Sequence, residues 1–575
     1  MAAGADHPTR DSSALPGADS SARGCFATPV TTYKMLSASG RSDVPFHGIA
    51  AVLALVIVVV TLNWGSTAVG GADEYSYVSA AGLLRQGRLV VYQDVVRESP
   101  WPGALGTWTP IGYTEVLQDR HAITPVVPPG LPLLMAGLQG LFGFCAAFWV
   151  VPICAGATVW LTYMLGRRVF DRPSVALGAA FLVAASPTFL NQAMGPLSDV
   201  PATAWWMLAL VLLLAEQPVA AGFAAAGAIA IRPNLAPLSL ALLTWTVLRD
   251  RQDPASGRRG ARTLRVGLAI VVALIAFGGL NVYLYGSPLR SGYGELNDLY
   301  SWRYLWTNVR QFSIWASETD TPIVALAATF FLAPRFLAAP RVAFPRVLFG
   351  AFAAIVLLSY VFYLPFDAWW FLRFLLPMWP VVMLLTMAAL DAIACRWLGP
   401  AARRGALIAI VVLLAWHGVA VTINRGCFTR WRVETRYVDV ARFIDASTDP
   451  SAVLIGGQHT GSIRFYADRL TLNFAALDRR WLDRAVARLR ATGHRPYFVL
   501  DASEIDKFRQ RFSAENRLGA LDWSPVAVYE DSYVAIYDPE TQRVGVAPRV
   551  IASSVERSGH VCRRPQPWPP RLRFE

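Results

Sequence analysis

Two adjacent acidic residues, Asp73 and Glu74, follow the first long apolar run of the sequence, in the segment GADEYSY. A carboxylate beside a membrane surface can act as a general base that removes a proton from an attacking hydroxyl group. Acidic residues are also common in the first turn of a helix, because they interact favourably with the helix dipole. Both interpretations fit the helical pattern that continues to Arg85, so the pair is a candidate catalytic site.

A third acidic residue, Asp199, lies in the segment GPLSDVP between two later apolar runs. A serine followed by an acid and a proline is also a usual way to begin a helix. The predicted topology, given below, places Asp199 and Asp73 on the same side of the membrane. Together the acids could position an acceptor or bind a divalent cation, and the sequence leaves both alternatives open.

Two arginines lie at predicted outer edges of the membrane: Arg232 interrupts a hydrophobic hairpin, and Arg373 closes the segment DAWWFLR. Arginine stays protonated and can bind a phosphate through two parallel hydrogen bonds. The alternative is that each side chain only extends from the end of a span to the polar surface. Both residues are therefore candidates for holding a phosphate-bearing group.

Three further residues are candidates for contact with a substrate. Tyr293 and Trp302 belong to an aromatic-rich loop between Gly286 and Asp320. Such side chains stack on sugar rings, but they are also the usual components of an aromatic belt at the membrane surface. His121 could be a metal ligand or a proton carrier, although no second histidine lies near it in the sequence.

Membrane helices must position these residues. The chain has 575 residues, is 54% hydrophobic and has a mean hydropathy of +0.39, which excludes an ordinary soluble protein. The run 127–144 is too short to span a membrane and is predicted to lie along its outer face. We predict eleven spans, at 48–65, 147–166, 173–191, 200–216, 219–231, 235–248, 266–285, 321–334, 347–364, 374–391 and 405–423.

The net charge of +13 comes almost wholly from arginine, since Lys34 and Lys507 are the only lysines. The arginines lie between apolar runs rather than in one stripe, so membrane topology explains them better than nucleic-acid binding does. The positive-inside rule then places the N-terminus in the cytoplasm. We predict a multi-pass protein of the bacterial inner membrane, with its C-terminal domain in the periplasm.

The predicted fold class is a polytopic α-helical membrane protein with a small C-terminal α/β extramembrane domain. Its predicted parts are a disordered cytoplasmic arm (1–46), a transmembrane domain (47–424) with an external loop (66–146), a periplasmic α/β domain (430–540) and a disordered basic tail (541–575). Of the six cysteines, we expect that only Cys427 and Cys562 could meet in an oxidising compartment.

Several of these features occur in an order that resembles the GT-C glycosyltransferases, especially the branch with the protein O-mannosyltransferases and the aminoarabinose transferase (glycosyltransferase family 39-like). The resemblance covers about residues 48–391. The matching features are the acidic pair after the first span, the Pro128-Pro129 helix with Phe142-Gly143 near its end, the Arg-Arg-x-Phe turn at 167–170, Ser186-Pro187 and Asp199.

The resemblance implies inverting transfer of a sugar from a polyprenyl-phosphate donor to a glycan, lipid or protein acceptor on the periplasmic side. By position, Asp73 would be the catalytic base, with Glu74 as the alternative, and Asp199 would assist. Arg232 or Arg373 would hold the donor phosphate. The sequence lacks a D-x-D pair around Asp199, so a divalent cation is not assured and no other cofactor is implied. The expected partners are the lipid-linked donor, the acceptor and membrane lipids, without nucleic acid.

Two other classes of function compete with this interpretation. A transporter or non-catalytic membrane protein predicts internal repeats and charged residues near the middle of spans, and neither is evident in the sequence. A ligase or polymerase of surface polysaccharide has the same topology but a different acceptor.

Overall fold

The computed structural model describes residues 44–252, 260–332, 344–529 and 534–554, together with Cys562. Most of the predicted N-terminal arm, parts of two arginine-rich loops and most of the predicted basic tail lie outside these residues. Helices dominate up to residue 424. They are α1 (Val44–Trp64), α2 (Asp73–Arg85), α3 (Ala104–Thr107), α4 (Gly130–Phe142), α5 (Val150–Val169), α6 (Pro173–Ala185), α7 (Pro187–Ala193), α8 (Asp199–Leu214), α9 (Pro218–Ile231), α10 (Ser239–Gln252), α11 (Ala261–Tyr285), α12 (Leu296–Leu299), α13 (Leu305–Asp320), α14 (Thr329–Leu332), α15 (Pro345–Val361), α16 (Trp379–Trp397) and α17 (Pro400–Asn424).

Five helical stretches in the described part of the chain are long and apolar enough to cross a membrane: α1, Phe144–Val169, α11, Trp369–Trp397 and α17. A sixth candidate is the pair α6 and α7, which is bent by 59°. The bend lies at Ser186, whose extended backbone is the conformation that the following Pro187 favours. The predicted number of eleven spans stays a prediction, since α4, α8, α9, α15 and the stretch Pro322–Leu332 are apolar but shorter.

The helices differ in how much of their surface the protein covers. Of an 18-residue apolar segment in each helix, only 17% is buried in α1, α11 and α17. In the stretch Trp369–Trp397, which ends with α16, 78% of such a segment is buried. Most apolar side chains on α1, α11 and α17 thus point away from the protein, as expected for helices that face lipid. The buried helices α5, α8 and α16 form the centre of the bundle.

The segment between α1 and α5 folds on one side of the bundle. Helices α2 and α4 pack together there, beside a three-stranded sheet of order β1-β3-β2. Its strands are β1 (Val91–Tyr92), β2 (Tyr113–Glu115) and β3 (Ala122–Pro125). Strands of two to four residues are too short to show a period of two in the sequence, which is why the sequence did not predict them.

The C-terminal domain, here the described residues from 430 to 554, contains α18 (Arg430–Ser447), α19 (Thr460–Ala467), α20 (Leu482–Ala491), α21 (Ala502–Phe512) and a six-stranded sheet. The strands are β4 (Ala452–Gly456), β5 (Leu470–Asn473), β6 (Arg495–Asp501), β7 (Ala527–Tyr529), β8 (Val534–Tyr537) and β9 (Arg549–Ile551), in the order β5-β4-β6-β8-β7-β9. Strand β9 lies in the range predicted as a tail. The sequence did not reveal it because the strand has only three residues and forms by pairing with the distant β7.

The cysteine pairing differs from the expectation. Cys562 is bonded to Cys145, which precedes α5, and not to Cys427, which is free and buried at the end of α17. The bond spans 417 residues of sequence, so only the three-dimensional fold brings the two cysteines together. It ties the end of the chain to the side of the bundle that carries α2 and α4.

We expect peptide mapping under non-reducing conditions to recover one fragment that contains both Cys145 and Cys562. The bond requires that both cysteines lie in an oxidising compartment, so the same measurement tests their common side of the membrane. A Cys427→Ser variant is the matched control and should leave the linked fragment unchanged. Recovery of Cys562 linked to Cys427 would contradict the structure.

Candidate active site

A cavity of about 1700 Å³ lies where α2, the segment before α4, the junction of α9 and α10, the end of α11 and the start of α18 meet. Part of its wall is apolar and comes from the membrane-facing α11. Charged and aromatic side chains form the remainder. The lining residues discussed below are Asp73, Glu74, Tyr77, Arg232, Leu274, Phe277, Tyr293, Tyr360, Arg373, Phe374, Arg430, Glu434 and Gln458.

Two acids and two arginines form a chain of ion pairs at this cavity. Nη2 of Arg373 donates a hydrogen bond to Oδ2 of Asp73 over 3.3 Å. Nη1 of the same guanidinium lies 3.8 Å from Oδ2 of Asp199, whose other oxygen is paired with Arg232. Asp199 is buried, whereas the Asp73 side chain is 31% exposed. The structure therefore brings together four of the residues that the sequence singles out, and Asp73 is the more accessible of the two acids.

Local sequence explains how these side chains reach the cavity. Gly71 has a φ of +60°, a turn conformation that glycine adopts without strain, and Asp73 begins α2 directly afterwards. Helix α9 ends at Ile231 because Pro233 cannot continue its hydrogen bonding, which leaves Arg232 at the break. Arg373 lies in a 3₁₀ helix, Trp369–Met378, that leads into α16.

Aromatic rings support the two guanidinium groups. The guanidinium carbon of Arg232 lies 5.9 Å from the ring centres of both Tyr360 and Phe374, which stack on each other at 4.8 Å. Arg373 lies 5.6 Å from the same Phe374 ring. Such cation-π contacts hold the charges in place with few hydrogen bonds. Nε of Arg373 is buried and has no hydrogen-bond partner among the described residues.

Of the three predicted contact residues, the structure places one at the cavity and two outside it. Tyr293 lines the cavity. Trp302 does not line it, and its side chain is 80% exposed beside α13, the position of an interfacial aromatic residue. His121 is also outside the cavity, at the start of β3, with its Nδ1 4.0 Å from a carboxylate oxygen of Asp119.

Glu74 forms a second group of charges at the cavity with two residues that the sequence analysis missed. Arg430 of α18 donates a hydrogen bond to Glu74 and lies 3.6 Å from Glu434. Glu74 and Arg430 are 356 residues apart in the sequence, so only folding reveals the contact. The single local signal was the spacing of Arg430 and Glu434, which places them on one face of a helix.

Burial raises the pKa of Glu74 from its usual value of 4.5 to about 7, although the nearby Arg430 favours the charged form. Because the pKa is higher in the folded state, the contribution of Glu74 to the free energy of unfolding is fully present below about pH 4.5. This contribution is lost as the pH rises through 7. We expect Glu74→Gln to remove this part of the pH dependence, which amounts to up to roughly 3 kcal/mol. Thermal unfolding of both proteins between about pH 5 and 8 checks this. Parallel pH profiles for parent and variant would contradict it.

The donor set does not fit a divalent cation. Among the described residues, no group of three or more His, Cys, Asp or Glu side chains could hold a metal ion. Asp73 and Asp199 instead face the guanidinium groups of Arg373 and Arg232. The mechanism proposed below therefore uses only the side chains of the protein.

Solved structures of other proteins share this architecture, and two of them have the following similarity to this chain. ArnT from Cupriavidus metallidurans bound to undecaprenyl phosphate has 15% sequence identity and a TM-score of 0.50, over 87% of this chain and 98% of ArnT. The oligosaccharyltransferase of Archaeoglobus fulgidus tethered with an acceptor peptide has 13% identity and a TM-score of 0.50, over 88% of this chain and 75% of that protein. No protein-family model and no curated protein matches the sequence.

The chain thus shares the fold of ArnT and of this oligosaccharyltransferase, and the resemblance to the GT-C glycosyltransferases noted in the sequence is confirmed at the level of the fold.

Proposed function

We propose that this protein is a membrane glycosyltransferase that transfers a sugar from a polyprenyl-phosphate donor to a hydroxyl or amine of an acceptor on the outer side of a bacterial inner membrane. The observation that carries the proposal is the meeting of Asp73, Arg373, Asp199 and Arg232 in one cavity whose apolar wall is a lipid-facing helix. One structure with a similar fold binds undecaprenyl phosphate, a lipid of the proposed donor class.

The apolar wall favours a lipid-linked donor over a water-soluble one. Leu274 and Phe277 of α11 line the cavity, and α11 is one of the helices with little buried surface. A polyprenyl chain can lie against such a surface, while its phosphate reaches the arginines at the end of the membrane segment. Arg373 and Arg232 would then hold the phosphate through charge-assisted hydrogen bonds.

Binding of the donor would also prepare the base. Asp73 accepts a hydrogen bond from Arg373, the same guanidinium that is proposed to hold the phosphate. A phosphate at Arg373 competes with the Asp73 carboxylate and leaves it available to the acceptor. Asp199 is buried between both arginines and keeps them in place.

In the proposed step Asp73 takes the proton of the acceptor, and the acceptor oxygen or nitrogen forms a bond to the anomeric carbon of the sugar. The bond between that carbon and the phosphate oxygen breaks, and its electron pair stays on the lipid phosphate. The arginines stabilise the charge that develops there. The configuration at the anomeric carbon is inverted.

Deletion of the gene tests this function in cells. We expect a lipid-linked sugar to accumulate in the membranes, because its consumption stops while its synthesis continues. Re-expression of the parent protein should clear the lipid, and re-expression of Asp73→Asn should not. An unchanged pool of lipid-linked sugars in the deletion strain would contradict the proposal.

A further inference from the structure

The C-terminal domain forms part of the cavity wall. Arg430, Val433 and Glu434 of α18 line the cavity, and so does Gln458, which follows β4. These side chains stand on a domain with its own sheet and its own apolar clusters. The cavity is therefore incomplete without the C-terminal domain.

Gln458 follows β4, the strand that has a parallel neighbour on each side. The chain leaves β4 towards β5 on one side and later returns to β6 on the other side of β4. In α/β sheets, ligands commonly bind beyond the carboxyl ends of the strands at such a point, and Gln458 lies there beyond the end of β4. Oε1 of Glu504 accepts a hydrogen bond from the backbone N–H of Gln458 over 2.8 Å, and this fixes the loop.

Buried hydrogen bonds hold this end of the sheet against the bundle. The side chain of Arg464 is buried, and it donates to Oε1 of Gln93 over 2.8 Å and to the carbonyl of Trp108 over 2.6 Å. The Tyr466 hydroxyl accepts from the backbone N–H of Val69 over 2.8 Å. Interactions of this kind fix the C-terminal domain relative to α2, and thus relative to Asp73.

The charges at the cavity form two groups that meet at Asp73 and Arg373. One group contains Asp199 and Arg232 with their aromatic supports. The other contains Glu74, Arg430 and Glu434, and Arg430 interacts electrostatically with both Arg373 and Asp73. A base must lie between donor and acceptor. If the first group holds the donor phosphate, the second group borders the acceptor.

We infer that the C-terminal domain binds the acceptor through Glu434 and Gln458, and that the acceptor is rich in hydroxyl groups, as a glycan is. A carboxylate and a carboxamide accept and donate the hydrogen bonds that neighbouring hydroxyls offer. The two groups are polar and lie outside the apolar wall formed by α11, so a lipid tail would gain little from them. This inference rests on the proposed function.

Kinetics of the purified full-length protein test the inference. The donor is the labelled lipid-linked sugar fraction from cells that lack the protein, and the acceptors are separate glycan, lipid and peptide fractions of the same cells. We expect label in the glycan fraction. Glu434→Gln should raise KM for that fraction about tenfold, the scale of one charge-assisted hydrogen bond, and Gln458→Leu should raise it by a smaller factor because a neutral hydrogen bond is lost. In both variants kcat and the donor KM should be unchanged.

Arg432→Gln is the matched control, since Arg432 is exposed on α18 and does not line the cavity. If Gln458→Leu does not fold, Gln458→Asn shortens the same carboxamide and should raise KM in the same direction. An unchanged acceptor KM in the Glu434 and Gln458 variants, or label only in the lipid or peptide fraction, overturns the inference but leaves glycosyl transfer intact. If the parent protein transfers no sugar to any fraction, the proposed function fails as well.

Discussion

Asp73→Asn is expected to insert into the membrane and bind the donor as the parent protein does, but to transfer sugar roughly 100-fold to 10,000-fold more slowly. Asparagine keeps the size of the side chain and can still accept a hydrogen bond from Arg373, yet it cannot accept the proton of the acceptor. A defect confined to turnover follows from that difference. Single-turnover rates with bound lipid-linked donor measure it directly, separately from the binding steps.

The matched control for this substitution is Glu74→Gln. The neighbouring carboxylate is buried against Arg430, and Arg430 keeps its contact with Glu434 when Glu74 loses its charge. We therefore expect Glu74→Gln to change the pH dependence of stability much more than the rate of transfer. If Glu74→Gln abolishes transfer while Asp73→Asn retains the parent rate, the catalytic base is Glu74.

Arg373→Leu is expected to weaken donor binding by about 1.5 to 3 kcal/mol, the scale of hydrogen bonds to a charged group. Its two Nη atoms face the carboxylates of Asp73 and Asp199, so removal of this guanidinium also leaves the buried Asp199 with one arginine fewer. Arg232→Leu should weaken donor binding on the same scale. Titration of each purified variant with undecaprenyl phosphate, the carrier lipid without its sugar, measures this loss.

Arg290→Leu serves as the matched control for the two arginine variants. Arg290 does not line the cavity, its side chain is 39% exposed, and it lies 3.7 Å from Glu295, whose side chain is more exposed still. Its replacement should leave the affinity for the carrier lipid unchanged. Unchanged affinity in the Arg373 and Arg232 variants as well would show that these arginines only extend to the membrane surface, as many arginines at span ends do.

The acidic and basic residues of the site could be selected from the sequence because each one follows or interrupts an apolar run. Asp73 follows the first run and Asp199 lies between two runs. Arg232 is recognised because it and the adjacent Pro233 interrupt an apolar run. Such positions combine a charge with a membrane boundary, and both properties are local. The direction of each side chain is not local, so the sequence did not show that Arg373 pairs with Asp73 across 300 residues.

Residues supplied by the C-terminal domain were not predictable by the same means. Arg430 and Glu434 resemble any charged pair on an exposed helix, and Gln458 carries no charge. They line the cavity because the domain docks through Arg464, a buried arginine that composition and periodicity do not distinguish from the other arginines. The Cys145–Cys562 bond was missed for a similar reason, since the sequence contains no information on which distant loops meet.

The most direct test of the proposed function is sugar transfer by the purified protein in lipid vesicles. The vesicles contain the labelled lipid-linked sugar that accumulates in deletion cells, and the acceptor fractions are added outside. We predict that the parent protein moves label from the lipid to an acceptor and releases the polyprenyl phosphate, whereas Asp73→Asn does neither. Label that stays on the lipid, or an intact lipid-linked sugar that only changes sides of the membrane, would contradict a glycosyltransferase and indicate a transporter.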